Sequence, residues 1–258
     1  MKKRYKNSLH GVGMTATVAL FAACASPYHV TSVERQRIVV DARYDAHPDA
    51  AATAFIAPYA HEVDSLMFPV VGETPHPLTV DRPESDLSNL LADIMVWAGT
   101  AYGEHPQLGV YNMGGIRANL PGGKVTKGDI LDVAPFENKI CFLTLSGEKL
   151  LQLFREIAHR GGEGVSHGVE LVITNDGKLV SAKLHGQLID PEAHYRVATL
   201  DYLAQGNDQL EAFKSKTDVN NPSGKENDSR FIIERYFKDK AARGEQVDAH
   251  CEGRIVIK

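Results

Sequence analysis

A chain of 258 residues, 43% hydrophobic and 24% charged, has the composition of a globular protein with material for one sizeable core. Its formal net charge of −5, with no basic block in the body of the chain, excludes a sequence-independent nucleic-acid binder, which needs a basic face. The same pattern makes a polybasic membrane surface unavailable.

The first segment in chain order is a processing signal rather than part of a fold. Lys2, Lys3, Arg4 and Lys6 form a positive n-region, and Val12 to Phe21 is apolar but too short to span a bilayer. Ala22-Ala23 then lead to Cys24, a pattern similar to a bacterial lipobox, with Phe21 standing where Leu is more usual. This predicts removal of residues 1–23 and lipidation of Cys24. The chain is then exported and anchored to a bacterial membrane by acyl chains alone, facing the periplasm or the cell surface. An ordinary signal peptide cleaved near Ala23 is the alternative.

Residues 24–47 read as a polar, short-stranded tether, and 48–258 as a single domain without repeats or a clear linker. Pro48 to about Met67 is predicted helical, and the proline-broken stretch 68–84 extended. Ser85 to about Tyr102 is the strongest helix, with Leu87, Leu90, Leu91, Ile94, Met95 and Ala98 on one face. "LGVYN" is a strand, and Thr126 caps a short helix in "TKGDILDVAPF". "NKICFLTLS" is a strand, followed by an amphipathic helix ending at Gly161-Gly162. "GVELVITN" and "KLVSAKLHG" form a hairpin about Asp176-Gly177, and "HYRVATLDYL" is a further strand. Residues 216–229 are a polar loop, "RFIIERYFKDKAAR" a helix and "GRIVIK" a last strand. Irregular alternation with an antiparallel hairpin indicates an α+β fold, a mixed β-sheet packed with helices.

Cys141 lies in an apolar strand and Cys251 near the C-terminus. In an oxidising compartment they leave a disulfide open, while a strand-buried Cys141 reads equally as a free thiol. Neither is part of a CxxC pair, so zinc and thioredoxin-like readings are weak.

Three stretches carry binding chemistry. In "NMGGIR", Gly114 and Gly115 allow a ligand close to the backbone, Arg117 offers a planar fork for an anion, and Asn112 offers a donor and an acceptor. In "APFENK", a loop carries Phe136 and Asn138; in "LDYLAQGND", a strand runs into Tyr202 and a turn ending at Asp208. Two loop aromatics can sandwich a flat ring, and a carboxylate can accept from neighbouring hydroxyls. Each stretch alone is equally a plain turn or a core aromatic.

Taken in order with "ESDLSNLLADIM" and "LSGEKLLQLF", these stretches resemble the C-terminal domain of the 5′-nucleotidase / UDP-sugar hydrolase family over about residues 48–215. The resemblance implies an α+β substrate-specificity domain that grips the nucleoside, while a separate N-terminal metallophosphatase domain hydrolyses. It implies that Arg117 meets the anionic part of the ligand, Asn112 and Asn138 reach the base edge, Phe136 and Tyr202 stack on it, and Asp208 holds the ribose. Gly164 would fall in the loop completing the pocket. Three departures stand out. Ser88-Asn89 replaces Gly-Asn in the long helix. Gly206-Asn207-Asp208 replaces Gly-Gly-Asp, with Asn207 expected to tolerate a left-handed backbone. Glu84 stands near a usual arginine, with Arg82 an approximate substitute.

The metal motifs of the hydrolytic half, Gly-Asn-His-Asp/Glu and Gly-His-x-His, do not occur in this sequence. Asp45-Ala46-His47 and Asp248-Ala249-His250 spell Asp-x-His without the companion ligands, and the remaining histidines, His76 among them, read as surface or core groups. No catalytic residue and no cofactor is assigned to this chain; divalent metals are expected only in a partner metallophosphatase. The expectation is the nucleotide-binding half of a split 5′-nucleotidase-type hydrolase. A stand-alone nucleoside-binding lipoprotein without turnover is the alternative.

Overall fold

The computed structural model describes residues 30–258, so the signal segment and Cys24 lie outside the described residues. Two units are distinguished, the first ending at Ala54 and the second running from Phe55 to Lys258. Within the first, residues 30–49 contain one 3-10 turn, Ala42–Tyr44, whose cap Asp41 accepts from the Arg43 N–H. The short strands expected there are not found among the described residues: Val30, Val33, Ile38 and Val40 are exposed. Helix α1, Ala50–Met67, starts two residues after Pro48, with Asp49 Oδ1 accepting from Ala52 N at 2.9 Å.

The second unit is ordered around α2, Asp86–Ala98, whose apolar face is wholly buried. Ser85 starts it with a capping box, its hydroxyl accepting from Ser88 N while the Ser88 hydroxyl accepts from Ser85 N. The helix lies on β2, Leu108–Tyr111, where Gly109 is required: a Cβ there would run into the Ala92 carbonyl. Three further strands join β2 in the largest sheet: β4 (Ile140–Ser146), β5 (Gly164–Val165) at one edge, and β9 (His194–Leu200). The order is β10-β4-β9-β2-β5, with β10 at Thr217–Asn220. β2 and β9 run parallel and the other neighbours antiparallel, which makes the sheet mixed as expected.

Two smaller sheets are interleaved with it in sequence. β1 (Val70–Thr74) pairs antiparallel with β3 (Gly123–Thr126), ahead of α3 (Lys127–Val133). β6 (Val169–Ile173), β7 (Leu179–Leu184) and β8 (Gln187–Leu188) form a meander, to which β11 (Ile255–Ile257) adds parallel to β6. Helices α4 (Gly147–His159) and α6 (Ser229–Ala242), with the single turn α5 (Asp201–Ala204) between them in sequence, supply Leu150, Leu153, Phe154, Ile157, Ile232, Ile233 and Phe237 from α4 and α6 to one continuous core.

Two details differ from the sequence reading. β9 stops at Leu200, and Asp201–Ala204 turns into a single helical turn, because Asp201 Oδ1 accepts from both Tyr202 N and Lys139 N. The polar segment 216–229 is not all loop: Thr217–Asn220 adds to β4 as an irregular edge strand whose side chains face largely outward. The two cysteines among the described residues are free, Cys141 buried and Cys251 exposed. Burial pushes the Cys141 thiol up to about 11, an inert packing residue.

Candidate functional site

Register brings the three loops together. Ile140 at the start of β4 stands opposite Leu200 at the end of β9, while β2 runs parallel to β9 and ends at Tyr111. "NMGGIR", "APFENK" and "DYLAQGND" therefore leave the sheet at the same end. Tyr111 pairs with Gly164, which brings the C-terminal end of α4 to that end as well.

A cavity of about 340 Å³ opens there, lined by Asn112, Gly114, Gly115, Arg117, Phe136, Asn138, Tyr202 and Asp208, with Arg160 as the ninth member. The volume lies within the range of small-molecule sites. All eight residues singled out in the sequence face this one space. Gly164 does not: it is wedged between the Ser88 and Tyr111 carbonyls, where a Cβ would come within 2.9 Å of each.

Asp208 is the polar centre. Its Oδ2 accepts from Asn112 Nδ2 at 2.8 Å and its Oδ1 from the Tyr202 hydroxyl at 3.0 Å, with Arg160 Nη2 4.0 Å away. The bond to Asp208, ahead of partial burial, raises the Tyr202 phenol above its usual value, so it stays a donor. The turn that presents Asp208 is left-handed at Gly206 (φ 84°), Asp208 (φ 55°) and Gln209 (φ 62°). Asn207 is not the left-handed residue expected; its side-chain amide instead donates to the Tyr202 carbonyl at 2.7 Å and ties the turn shut.

Asn112 is 4% exposed, and its Oδ1 has no hydrogen-bond donor among the described residues. A buried amide oxygen without a partner carries the full desolvation penalty, ~1–3 kcal/mol. Gly115 makes room for this amide, since a Cβ there would stand 2.9 Å from Oδ1. Across the cavity, Phe136 is 41% exposed on its loop, and the Arg117 guanidinium lies over its ring at 5.3 Å. An exposed cation–π contact of this kind is worth ~0.5–1 kcal/mol, which leaves Arg117 free to turn to an incoming anion.

Glu163 was not visible as a site residue. Its carboxylate is fully buried and takes Arg160 Nε at 2.6 Å and Arg82 Nη2 at 2.9 Å on one oxygen, Met113 N at 2.6 Å on the other. It thus fixes the start of the glycine turn and holds Arg160 toward Asp208. Arg82, the approximate stand-in for a usual arginine, is spent on this pair and does not line the cavity. Glu84 accepts from Asn89 Nδ2 at 2.7 Å and Glu252 N at 2.7 Å and joins α2 to the C-terminal segment. In sequence, the only sign of Arg160 and Glu163 was a charged pair bracketing Gly161-Gly162, which also reads as a plain helix end.

The family model that matches this chain is described as 5′-nucleotidase, C-terminal domain, and covers residues 70–215. Among curated relatives, an apyrase of Tabanus yao is 32% identical over 121 residues, 39% of this chain and 22% of that protein. Protein UshA of Escherichia coli is 24% identical over 158 residues, 60% and 29% of the two chains. Among solved structures, the 5′-nucleotidase precursor from Thermus thermophilus superposes with a TM-score of 0.69 at 27% identity, covering 80% of this chain and 43% of that one. The chain spans less than a third of the length of these two curated relatives.

Proposed function

The chain belongs to the family of 5′-nucleotidase C-terminal domains, and on that premise we propose that its cavity binds the nucleoside part of a nucleotide while a separate metallophosphatase polypeptide supplies hydrolysis. The observation that carries this reading is the convergence of two aromatics, Phe136 on its loop and Tyr202 in the helical turn after β9, with the Asp208 carboxylate and the Asn112 side chain on one cavity. Phe136 and Tyr202 offer π-faces to a base, and Asp208 offers a carboxylate to a ribose diol. Asn112 and Asn138 supply amides for the base edge, and Arg117 meets the phosphate side.

The donor set of the cavity does not suit a two-metal hydrolytic centre. Asp208 is the one carboxylate among the lining residues, both its oxygens are engaged, and no histidine lines the space. The role of this cavity is therefore grip and orientation. Export, with Cys24 as a lipid anchor, is part of the same proposal; it rests on the basic n-region, the apolar segment and the small residues before Cys24.

The test is calorimetric titration of adenosine and AMP into the chain in EDTA, followed by phosphate release from AMP with Mn²⁺. Binding of both ligands, with no phosphate released until a metallophosphatase is added, is the expected outcome. No heat with any nucleoside overturns the binding site. Metal-dependent release by the chain alone that survives repurification overturns the division of labour.

A further inference from the structure

Away from the cavity, the structure joins residues from two distant parts of the sequence. His76, in the loop after β1, lies beside Asp248 and His250, in the segment before β11. His76 Nε2 is 3.0 Å from Asp248 Oδ1 and His250 Nε2 is 3.2 Å from Asp248 Oδ2. The two imidazoles are stacked, with centroids 5.2 Å apart and planes inclined by 22°. One ligand atom from each of the three residues falls within 4.8 Å of the others.

We propose that His76, Asp248 and His250 form a binding site for one divalent transition-metal ion, zinc foremost, that clasps the loop after β1 to the C-terminal segment.

The donor set is the first reason. Two imidazoles and one carboxylate, with a fourth position left to water, is a ligand combination that zinc takes in open sites. Metal–ligand bonds of about 2.0–2.2 Å at a tetrahedral angle place donor atoms about 3.4 Å apart. The contacts of 3.0 and 3.2 Å run to different oxygens of Asp248, and the three ligand atoms lie within 4.8 Å of one another, so side-chain adjustments of about 1 Å bring them to the spacing that one ion requires.

Orientation is the second. His76 Nδ1 lies 3.0 Å from the Pro77 carbonyl. In that bond Nδ1 carries the proton, which leaves Nε2, the atom facing Asp248, as the coordinating nitrogen of the neutral ring. A carbonyl behind a ligating histidine is the usual outer contact that fixes tautomer and ring angle.

Preorganisation is the third. His76 sits between Thr74 and Leu78, 1% and 0% exposed, and the Thr74 hydroxyl donates to the Pro121 carbonyl at 2.6 Å. On the other side, buried Val247 donates its N–H to the Glu73 carbonyl at 2.8 Å, and Asn89 Nδ2 donates to the His250 carbonyl at 3.0 Å. Both backbones are anchored beside the ligands, while the ligand side chains themselves stay open to solvent, His250 at 66%. An ion can enter without unfolding either segment. None of the three residues lines the nucleoside cavity, so the site stands independently of that reading.

The experiment is titration of ZnCl₂ into the metal-free full chain, read by calorimetry and by the thermal midpoint, with Co²⁺ absorption reporting coordination number. One ion per chain, a raised midpoint and the intense visible bands of four-coordinate Co²⁺ are expected. His76→Gln and His250→Gln should each weaken zinc binding about tenfold or more, with circular dichroism confirming that both remain folded. Asp248→Asn, which keeps the hydrogen-bonding shape, should also weaken it, and His194→Gln, an exposed histidine elsewhere, should not. Absence of stoichiometric zinc binding by the wild-type chain overturns the proposal. Zinc binding that is unchanged in both histidine variants overturns it equally.

Discussion

Asn112 Nδ2 donates to Asp208 Oδ2 at 2.8 Å across 96 residues of sequence, and this bond closes the glycine turn after β2 onto the left-handed turn after β9. It orients both groups at once. Asn112 keeps a buried carbonyl oxygen without a donor among the described residues, and Asp208 is held by two donors in the lining of the cavity.

Asp208→Asn is expected to weaken adenosine binding about 10- to 100-fold, the worth of a hydrogen bond to a charged group, ~1.5–3 kcal/mol. The side chain is 20% exposed and both its partners border the open cavity, so the urea midpoint should move little. Calorimetry beside urea unfolding separates the two effects. Equal affinity in the variant would remove Asp208 from the ligand.

Phe136→Ala removes a ring that is 41% exposed on a loop. Its folding contribution is small for that reason, whereas base–aromatic stacking is worth ~1–3 kcal/mol. Affinity for adenosine should fall markedly, and affinity for ribose 5-phosphate, which has no base, should not change. A parallel loss for both would mean that the loop, rather than the ring, had been perturbed.

Much of this site was legible before any coordinates. The three loops carry local signals, glycine pairs and polar residues just past apolar runs, and α2 and α4 carry strong helical periodicity. β3 and β10 were not legible, because "GKVT" and "TDVN" have no apolar alternation and become strands only through pairing with β1 and β4. Arg160 and Glu163 were missed for a related reason. Their meaning lies in contacts with Met113, Arg82 and Asp208, 50, 81 and 48 positions from the residue each touches, and no local pattern encodes these contacts.

Glu163→Gln tests that buried network. A glutamine keeps the shape but turns one acceptor into a donor, facing either the Arg82 and Arg160 guanidiniums or the Met113 N–H. Leaving buried charge uncompensated typically costs about 3–5 kcal/mol. A fall of this order in urea unfolding is expected, with weaker nucleoside binding in whatever fraction stays folded. A variant as stable as the parent would show that the network is not a structural keystone.

The last prediction concerns acid. Arg196 clamps Glu104 with Nη2 at 2.7 Å and Nε at 2.8 Å, both side chains mostly buried, and also reaches Asp218. The Arg196 guanidinium, ahead of the opposing effect of burial, holds the Glu104 carboxyl below its ordinary value of 4.5. A carboxyl whose folded pKa lies below its unfolded one binds a proton more readily when the chain unfolds. Its contribution is therefore fully present above the ordinary value and is lost as pH falls through the folded pKa. Arg196→Met removes the clamp, so the variant should be the less stable at neutral pH and should lose less on acidification. Urea midpoints of the two proteins should therefore converge as pH is lowered from about 6 to about 3. Midpoint curves that stay parallel over that range would show that the pair contributes packing alone and no proton linkage.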